Sequence, residues 1–228
     1  MFEEKKLRVE FHCHTVYSFD SSNHLQQLLQ VAKKRDIQRL AITDHNTIEG
    51  ALEAKKMDPE LIIVGEEIVT TKGEMIGYFL QEEVPAYLSL QQTIEMLRTQ
   101  NAFISIPHPL DQMRRGWNVP DLLEILPQID AIEVFNARCL HDSINQRTQA
   151  FADEHNLAGI VGSDAHSLDE LGLATMLLPR FEDADGLRKV IRKGIAETHL
   201  LSAVDHFKAS ASIVLEKFKP GKISKRHK

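Results

Sequence analysis

Short apolar runs alternate with longer amphipathic segments along this chain, and six of the runs close on residues able to bind a cation. Leu7–Phe11 leads into His12, and Arg39–Thr43 into Asp44-His45. Leu61–Val64 leads into Gly65-Glu66-Glu67, and Ala102–Ile106 into Pro107-His108. Ala131–Val134 leads into Phe135-Asn136, and Ala158–Val161 into Gly162-Ser163-Asp164-Ala165-His166. Between them, Leu25–Lys34, Ile48–Lys56, Ser89–Gln100, Pro120–Leu126 and Ser143–His155 carry apolar residues at helical spacing. Met75–Leu80 reads as a further strand paired with Ile68–Thr71, Leu173–Leu178 as the last strand, and Ala184–Lys193 as the helix after it. Strand–helix–strand repetition means parallel βαβ units, which close into a barrel or spread as an open doubly wound sheet. The polar endings favour the barrel. A barrel builds its site from the C-terminal ends of many strands, whereas an open sheet gathers a site at one switch point. No glycine-rich dinucleotide fingerprint, phosphate-binding loop of the Walker kind, internal repeat or low-complexity segment is present.

His12 and His14 lie two apart, so on a strand both side chains reach the same face. Two imidazoles on one point can hold zinc or a transition metal; a buried strand with two incidental histidines is the plain alternative. The rest of the chain decides between them. Of 11 histidines, His12, His14, His45, His108 and His166 follow apolar runs, and the others fall in helices, loops or the tail. Asp20, Glu67, Asp164 and Asn136 extend the set of possible ligands. That is more than one zinc-like ion uses, so two or three divalent ions are expected. Asp44 and His45 are adjacent, as are Glu66 and Glu67, so only one of each pair faces the site, while Asp164 and His166 can both do so. Cys13, between the paired histidines, is expected in the core.

Composition narrows the class. Hydrophobic residues make up 43% and charged residues 26%, with no apolar run of membrane-spanning length and no secretory signal at the N-terminus. Two distant cysteines fit a reducing cytoplasm better than a disulfide scaffold. The last 12 residues hold six lysines and arginines and no acid, so the rest of the chain is more acidic than the net charge of −6 indicates. An acidic body argues against a broad nucleic-acid-binding face. Val204, Phe207, Ala211, Val214 and Phe218 recur at helical spacing, as in a helix docked on the barrel or one that joins two copies.

Taken in order, His12-x-His14, Asp20, Thr43-Asp44-His45, Gly65-x-Glu67, His108-Pro109 and Gly162-Ser163-Asp164-Ala165-His166 resemble the successive motifs of the PHP (polymerase and histidinol phosphatase) family, from residue 7 to about 193. The resemblance implies a distorted TIM-like (β/α)7 barrel over residues 1–200, with a C-terminal helix over 201–219 and a flexible basic tail over 220–228. It implies Mn, Fe or Zn ions at the barrel mouth and hydrolysis of phosphate esters, with His12, His14, Glu67, Asp164 and His166 as the catalytic set. Residue by residue, His12, His14, Glu67 and Asp164 would hold one ion. Glu67 would bridge to a second, held also by His108, and Asp20, His45 and His166 would hold a third. Asn136 stands where some members have histidine or cysteine, which leaves the second ion the least well held. Asp20 replaces a histidine of some members and favours Mn²⁺ or Fe²⁺ over Zn²⁺. Arg138, Arg114 and Arg115 are the candidates for phosphate binding, with an ordinary surface role as the alternative. Trp117 could stack on a ring or pack its own loop, and His141 could approach the mouth or begin a helix. The expected substrate is a small phosphorylated molecule (a nucleotide, an oligonucleotide end, a sugar phosphate or histidinol phosphate) with no membrane partner. An amidohydrolase-like barrel, which also begins with His-x-His, and a catalytically silent metal-binding module are the competing readings.

Overall fold

The computed structural model describes residues 6–201. Apart from Leu201, the expected C-terminal helix and basic tail lie outside the described residues. The elements in chain order are β1 (Leu7–Glu10), α1 (Leu25–Lys34), β2 (Arg39–Ile42), α2 (Glu49–Met57), β3 (Ile62–Val69) and β4 (Glu74–Tyr78). There follow α3 (Leu90–Thr99), β5 (Phe103–Ile106), α4 (Val119–Ile125), β6 (Ala131–Asn136) and α5 (Asp142–Glu154). The last are β7 (Gly159–Gly162), β8 (Ala174–Leu178), α6 (Ala184–Val190) and β9 (Ile195–Thr198). None of these helices is long and apolar enough to cross a membrane.

The helices form where the apolar stripe and end signals agree. α1 buries Leu28, Leu29 and Ala32 and carries Lys33 and Lys34 in its last turn, where the helix dipole favours cations. α3 starts on a capping box in which Ser89 and Gln92 satisfy each other's backbone N–H, and it buries Thr93, Ile94 and Leu97. β2 and β3 are buried along their whole length, as strands covered on both faces must be.

The strands form one nine-stranded sheet in the order β7-β6-β5-β4-β3-β2-β1-β8-β9. β1, β2 and β3 pair in parallel, as do β5, β6 and β7. A bridge between Cys13 and Ala165 joins the segment after β1 to the one after β7 and nearly closes the barrel. Three features depart from a regular seven-stranded barrel. β4 runs antiparallel to both β3 and β5, because a tight turn at Thr70–Gly73 folds it straight back. Gly73 is required there, since a Cβ would come within 2.6 Å of the Trp117 ring. β8 runs antiparallel to β1, and β9, which the sequence reading did not contain, adds antiparallel to β8. β9 is only four residues long and partly exposed, so it lacks the apolar run by which the other strands were recognised.

Strand direction positions the site. The six parallel strands bring their C-terminal ends to one mouth. Because β4 is reversed, it brings its first residue, Glu74, to that mouth instead of its last.

Candidate metal centre

Four ligand atoms converge at the floor of the mouth. His12 Nε2 lies 3.1 Å from His14 Nε2, 3.4 Å from Glu67 Oε2 and 3.6 Å from Asp164 Oδ1. His14 Nε2 lies 3.3 Å from each of the same two carboxylate oxygens. The far side of each ring fixes its tautomer. His12 Nδ1 faces Glu133 Oε1 at 2.9 Å, a pure acceptor when ionised, so the proton sits on Nδ1. His14 Nδ1 faces Ser18 Oγ at 3.2 Å, and that hydroxyl donates its own proton to Asp44 Oδ1 at 2.7 Å. The hydroxyl therefore accepts from His14, and also from His45 N at 3.0 Å. With both rings neutral, the two Nε2 atoms then point bare lone pairs at each other and at two carboxylates. Four acceptors cannot satisfy one another. A cation satisfies all four: tetrahedral ligands about 2.0–2.2 Å from zinc stand about 3.3–3.6 Å apart, close to the separations present.

The charge around this floor points the same way. Burial opposes an imidazolium at His12, yet the carboxylates of Asp164, Glu133 and Glu67 outweigh it and hold the ring well above its ordinary range. Burial likewise works against ionised Glu67 and Asp164, but His12 and its neighbours hold both well below the carboxylate norm. The pocket thus demands positive charge, from protons or from metal.

Glu67 reaches two further groups. Its Oε1 lies 3.1 Å from His108 Nε2, and its Oε2 lies 3.1 Å from His45 Nδ1. His45 Nε2 and His166 Nε2 in turn lie 3.4 and 3.3 Å from Asp20 Oδ2. Among the described residues, the other Asp20 oxygen is buried with no hydrogen-bond partner, as is His108 Nδ1. Burial and His14 push His166 down to about 4, so it presents a neutral, ligating ring. Asp164 and His108 have left-handed backbones, φ 52° and 26°, a strain of the kind that collects at functional sites.

All nine residues proposed from the sequence as ligands therefore lie at the mouth, but Asn136 is occupied otherwise. Its Oδ1 accepts from Arg138 N at 2.9 Å, while its Nδ2 donates to Glu133 Oε2 at 2.9 Å and Asp164 Oδ2 at 3.3 Å. Arg114 donates to Asp164 Oδ2 and, at 3.0 Å, to Asp111 Oδ2. Arg138 Nη1 lies 2.5 Å from His166 Nδ1, with its Nε 3.5 Å from Glu170 Oε1. Arg115 lines the same cavity from an exposed position. Trp117 is buried and donates from Nε1 to Glu74 O at 3.0 Å, so it packs its loop and offers no stacking face. Cys13 is in the core. His141 is the residue before α5, and it does not line the cavity.

Several residues here were not singled out in the sequence. Glu133 binds His12 and also accepts from His108 N at 2.8 Å. Glu10 receives four donors, from His12 N, Ser163 N, Ser163 Oγ and Gly172 N, and so ties β1 to the Asp164 loop. Glu170 accepts from the backbone of His166 and Ser167. Glu74 lines the cavity beside His108. A carboxylate inside an apolar run, as at Glu10 and Glu133, was the available signal, because a buried acid needs partners. The cavity above the cluster holds about 280 Å³. Phe19, Tyr87 and Met113 on its rim are 75, 67 and 76% exposed, the highest values among the exposed large apolar residues described.

Comparison with known proteins bears on the family and the fold. The sequence profile of the PHP domain matches residues 10–98, and that of a PHP-associated region matches residues 143–195. The uncharacterized protein MJ0417 of Methanocaldococcus jannaschii is 37% identical over 172 residues, covering 74% of this chain and 69% of the relative. MJ1587 of the same organism is 39% identical over 146 residues, covering 58% of this chain and 82% of the relative. Among solved structures, a two-domain protein from Bacteroides vulgatus, described as containing a predicted PHP-like metal-dependent phosphoesterase, superposes with a TM-score of 0.68 at 17% identity. It covers 91% of this chain and 69% of its own.

Proposed function

The chain belongs to the PHP family, and on that premise we propose that it is a metal-dependent phosphoesterase acting on a small phosphorylated molecule. The observation that carries the reading is the convergence of four potential ligand atoms from His12, His14, Glu67 and Asp164 within 3.1–3.6 Å, beneath a cavity that Arg114, Arg115 and Arg138 also line. His12, His14, Glu67 and Asp164 would hold one ion, Glu67 and His108 a second, and Asp20, His45 and His166 a third. The chemistry supplied by such cations is Lewis acidity toward a phosphoryl group and the ionisation of water near neutral pH. The protein's own residues do the rest. Glu133 and Ser18 keep both Nε2 lone pairs turned inward, and Glu67 places one oxygen on each side of the cluster. Arg138, Arg114 and Arg115 bind the phosphate oxygens and fix which ester bond lies over the floor. A cavity of about 280 Å³ suits a nucleotide, a sugar phosphate or an oligonucleotide end better than a long polymer. No lysine among the described residues lines it, which weighs against the amidohydrolase-like reading with its bridging lysine.

The test is metal analysis of the purified protein, followed by hydrolysis of an aryl phosphate and a panel of phosphorylated metabolites and short oligonucleotides with Mn²⁺, Fe²⁺ and Zn²⁺ in turn. Bound metal with turnover of at least one ester is expected. Bound metal with no hydrolysis under any of the three ions would refute the proposal.

A further inference from the structure

We infer that Glu74 is a metal ligand, completing with Glu67 and His108 the cation site that Asn136 does not serve. The inference rests on the metal-dependent reading above but concerns which residues hold the second ion, not which ester is cut.

Asn136 is excluded by its hydrogen bonds. Its oxygen is taken by the N–H of Arg138, and its NH₂ lies against Glu133 and Asp164. Turning the amide over would set NH₂ against an N–H and an oxygen against two carboxylates, so the orientation is fixed.

Glu74 is in the opposite condition. It is 7% exposed, lines the cavity, and its carboxylate makes no hydrogen bond among the described residues. Its one ion pair among the described residues is a long one, to His108 Nε2 at 3.9 Å from Oε2, and no lysine or arginine of the described residues comes as near. A buried carboxylate with no hydrogen-bond donor and only a long ion pair is costly, and a cation beside it removes that cost. One ligand atom from each of Glu67, Glu74 and His108 lies within 4.8 Å of the other two, with His108 Nε2 only 3.1 Å from Glu67 Oε1. The Glu67 oxygen involved is not the one that faces His12 and His14, so the site can fill without disturbing the first.

The fold explains why this carboxylate is available. Reversal of β4 places its first residue at the mouth, and the Trp117 indole bonded to Glu74 O holds the backbone there. Two carboxylates and one imidazole make a harder, more oxygen-rich site than one in which a histidine stands at position 136. It should therefore accept Mn²⁺ or Fe²⁺ more readily than sites richer in imidazole.

The test is metal stoichiometry and affinity, by elemental analysis and chelator-competition titration, on wild type, Glu74→Gln, Glu74→Asp and Asn136→Ala. In Glu74→Gln, affinity for one ion per chain should fall by about tenfold or more while the ion of the His12 set stays bound. Glu74→Asp keeps the charge with a shorter reach and should weaken the same ion less. Asn136→Ala should keep the second ion. Equal stoichiometry and affinity in Glu74→Gln and wild type would overturn the inference, as would loss of the second ion from Asn136→Ala alone. A wild type that binds a single ion and still hydrolyses phosphate esters would overturn it too, while leaving the proposed function standing.

Discussion

Replacing Glu133 by glutamine tests the reasoning most directly, because it changes one atom of a residue that need not touch metal or substrate. Glu133 accepts from His12 Nδ1 at 2.9 Å on one oxygen, and from His108 N at 2.8 Å and Asn136 Nδ2 at 2.9 Å on the other. Glutamine has one acceptor and one donor group, and both placements fail. With its NH₂ toward His12, the ring must accept at Nδ1, which moves the proton to Nε2 and removes the lone pair aimed at His14, Glu67 and Asp164. With its NH₂ toward His108 N and Asn136, two donors face donors in a fully buried spot. Loss of such outer partners weakens metal affinity about 10–100-fold, or about 1.4–2.8 kcal/mol. The second placement adds the cost of unsatisfied buried donors, about 1–3 kcal/mol for each group. Chelator-competition titration with Zn²⁺ and Mn²⁺ reads the affinity, and thermal unfolding of the metal-free protein reads the fold. A Glu133→Gln variant within threefold of wild type for its tightest ion would show that the tautomer argument is wrong.

Ser18→Ala should weaken metal binding in the same assay, since it strands His14 Nδ1–H and His45 N–H together, while Asp44 Oδ1 keeps the Thr15 N–H; unchanged affinity would remove Ser18 from the support of His14. Arg138→Ala should raise KM for a phosphate ester about tenfold or more, as expected for the loss of a charged hydrogen bond, with metal content unaltered; an unchanged KM places the phosphate elsewhere. Glu66, whose Oε1 is buried without a hydrogen-bond partner among the described residues, is pushed by burial from the ordinary 4.5 up to about 8. The folded protein keeps this proton where the unfolded chain has lost it, so stability drops as pH rises from about 4.5 to about 8. Glu66→Gln should therefore gain in Tm over wild type across that window and level off above it; parallel Tm profiles would contradict this.

Much of the barrel was legible because each parallel strand of an enclosed sheet announces itself twice, by an apolar run and by the polar residue that ends it. β2, with Leu40 to Ile42 buried, closes on His45 in this way, and β3 closes its inner stretch on Glu67. Spacing required that only one of Asp44 and His45 face the site, and the resemblance to the family motifs pointed to His45. His45 faces Glu67, whereas Asp44 accepts from Thr15 and Ser18 and shapes the loop beneath. What the pattern could not supply was strand direction. A reversed strand contributes its beginning to the mouth, so Glu74 stood at the wrong end of its run to be noticed, and β9 had too little apolar surface to register at all.

The residues that hold the ligands were hidden for a different reason. Glu10 and Glu133 lie inside apolar stretches and earn their places through contacts more than a hundred residues away, with Ser163 in one case and His12 in the other. No local rule reports such pairs; only the closed sheet brings them together. The same closure decides the role of Asn136. In sequence it occupies a ligand position, but the chain turns at once into Arg138, whose N–H takes the amide oxygen, and Asp164 and Glu133 arrive from either side to take the nitrogen. An amide satisfied on both faces gains little by binding a cation, while a buried carboxylate without a hydrogen-bond donor gains more. Which side chains the barrel leaves unsatisfied is therefore the better guide to the candidate ligands than position in a motif, and by that measure Glu74 is a stronger candidate than Asn136.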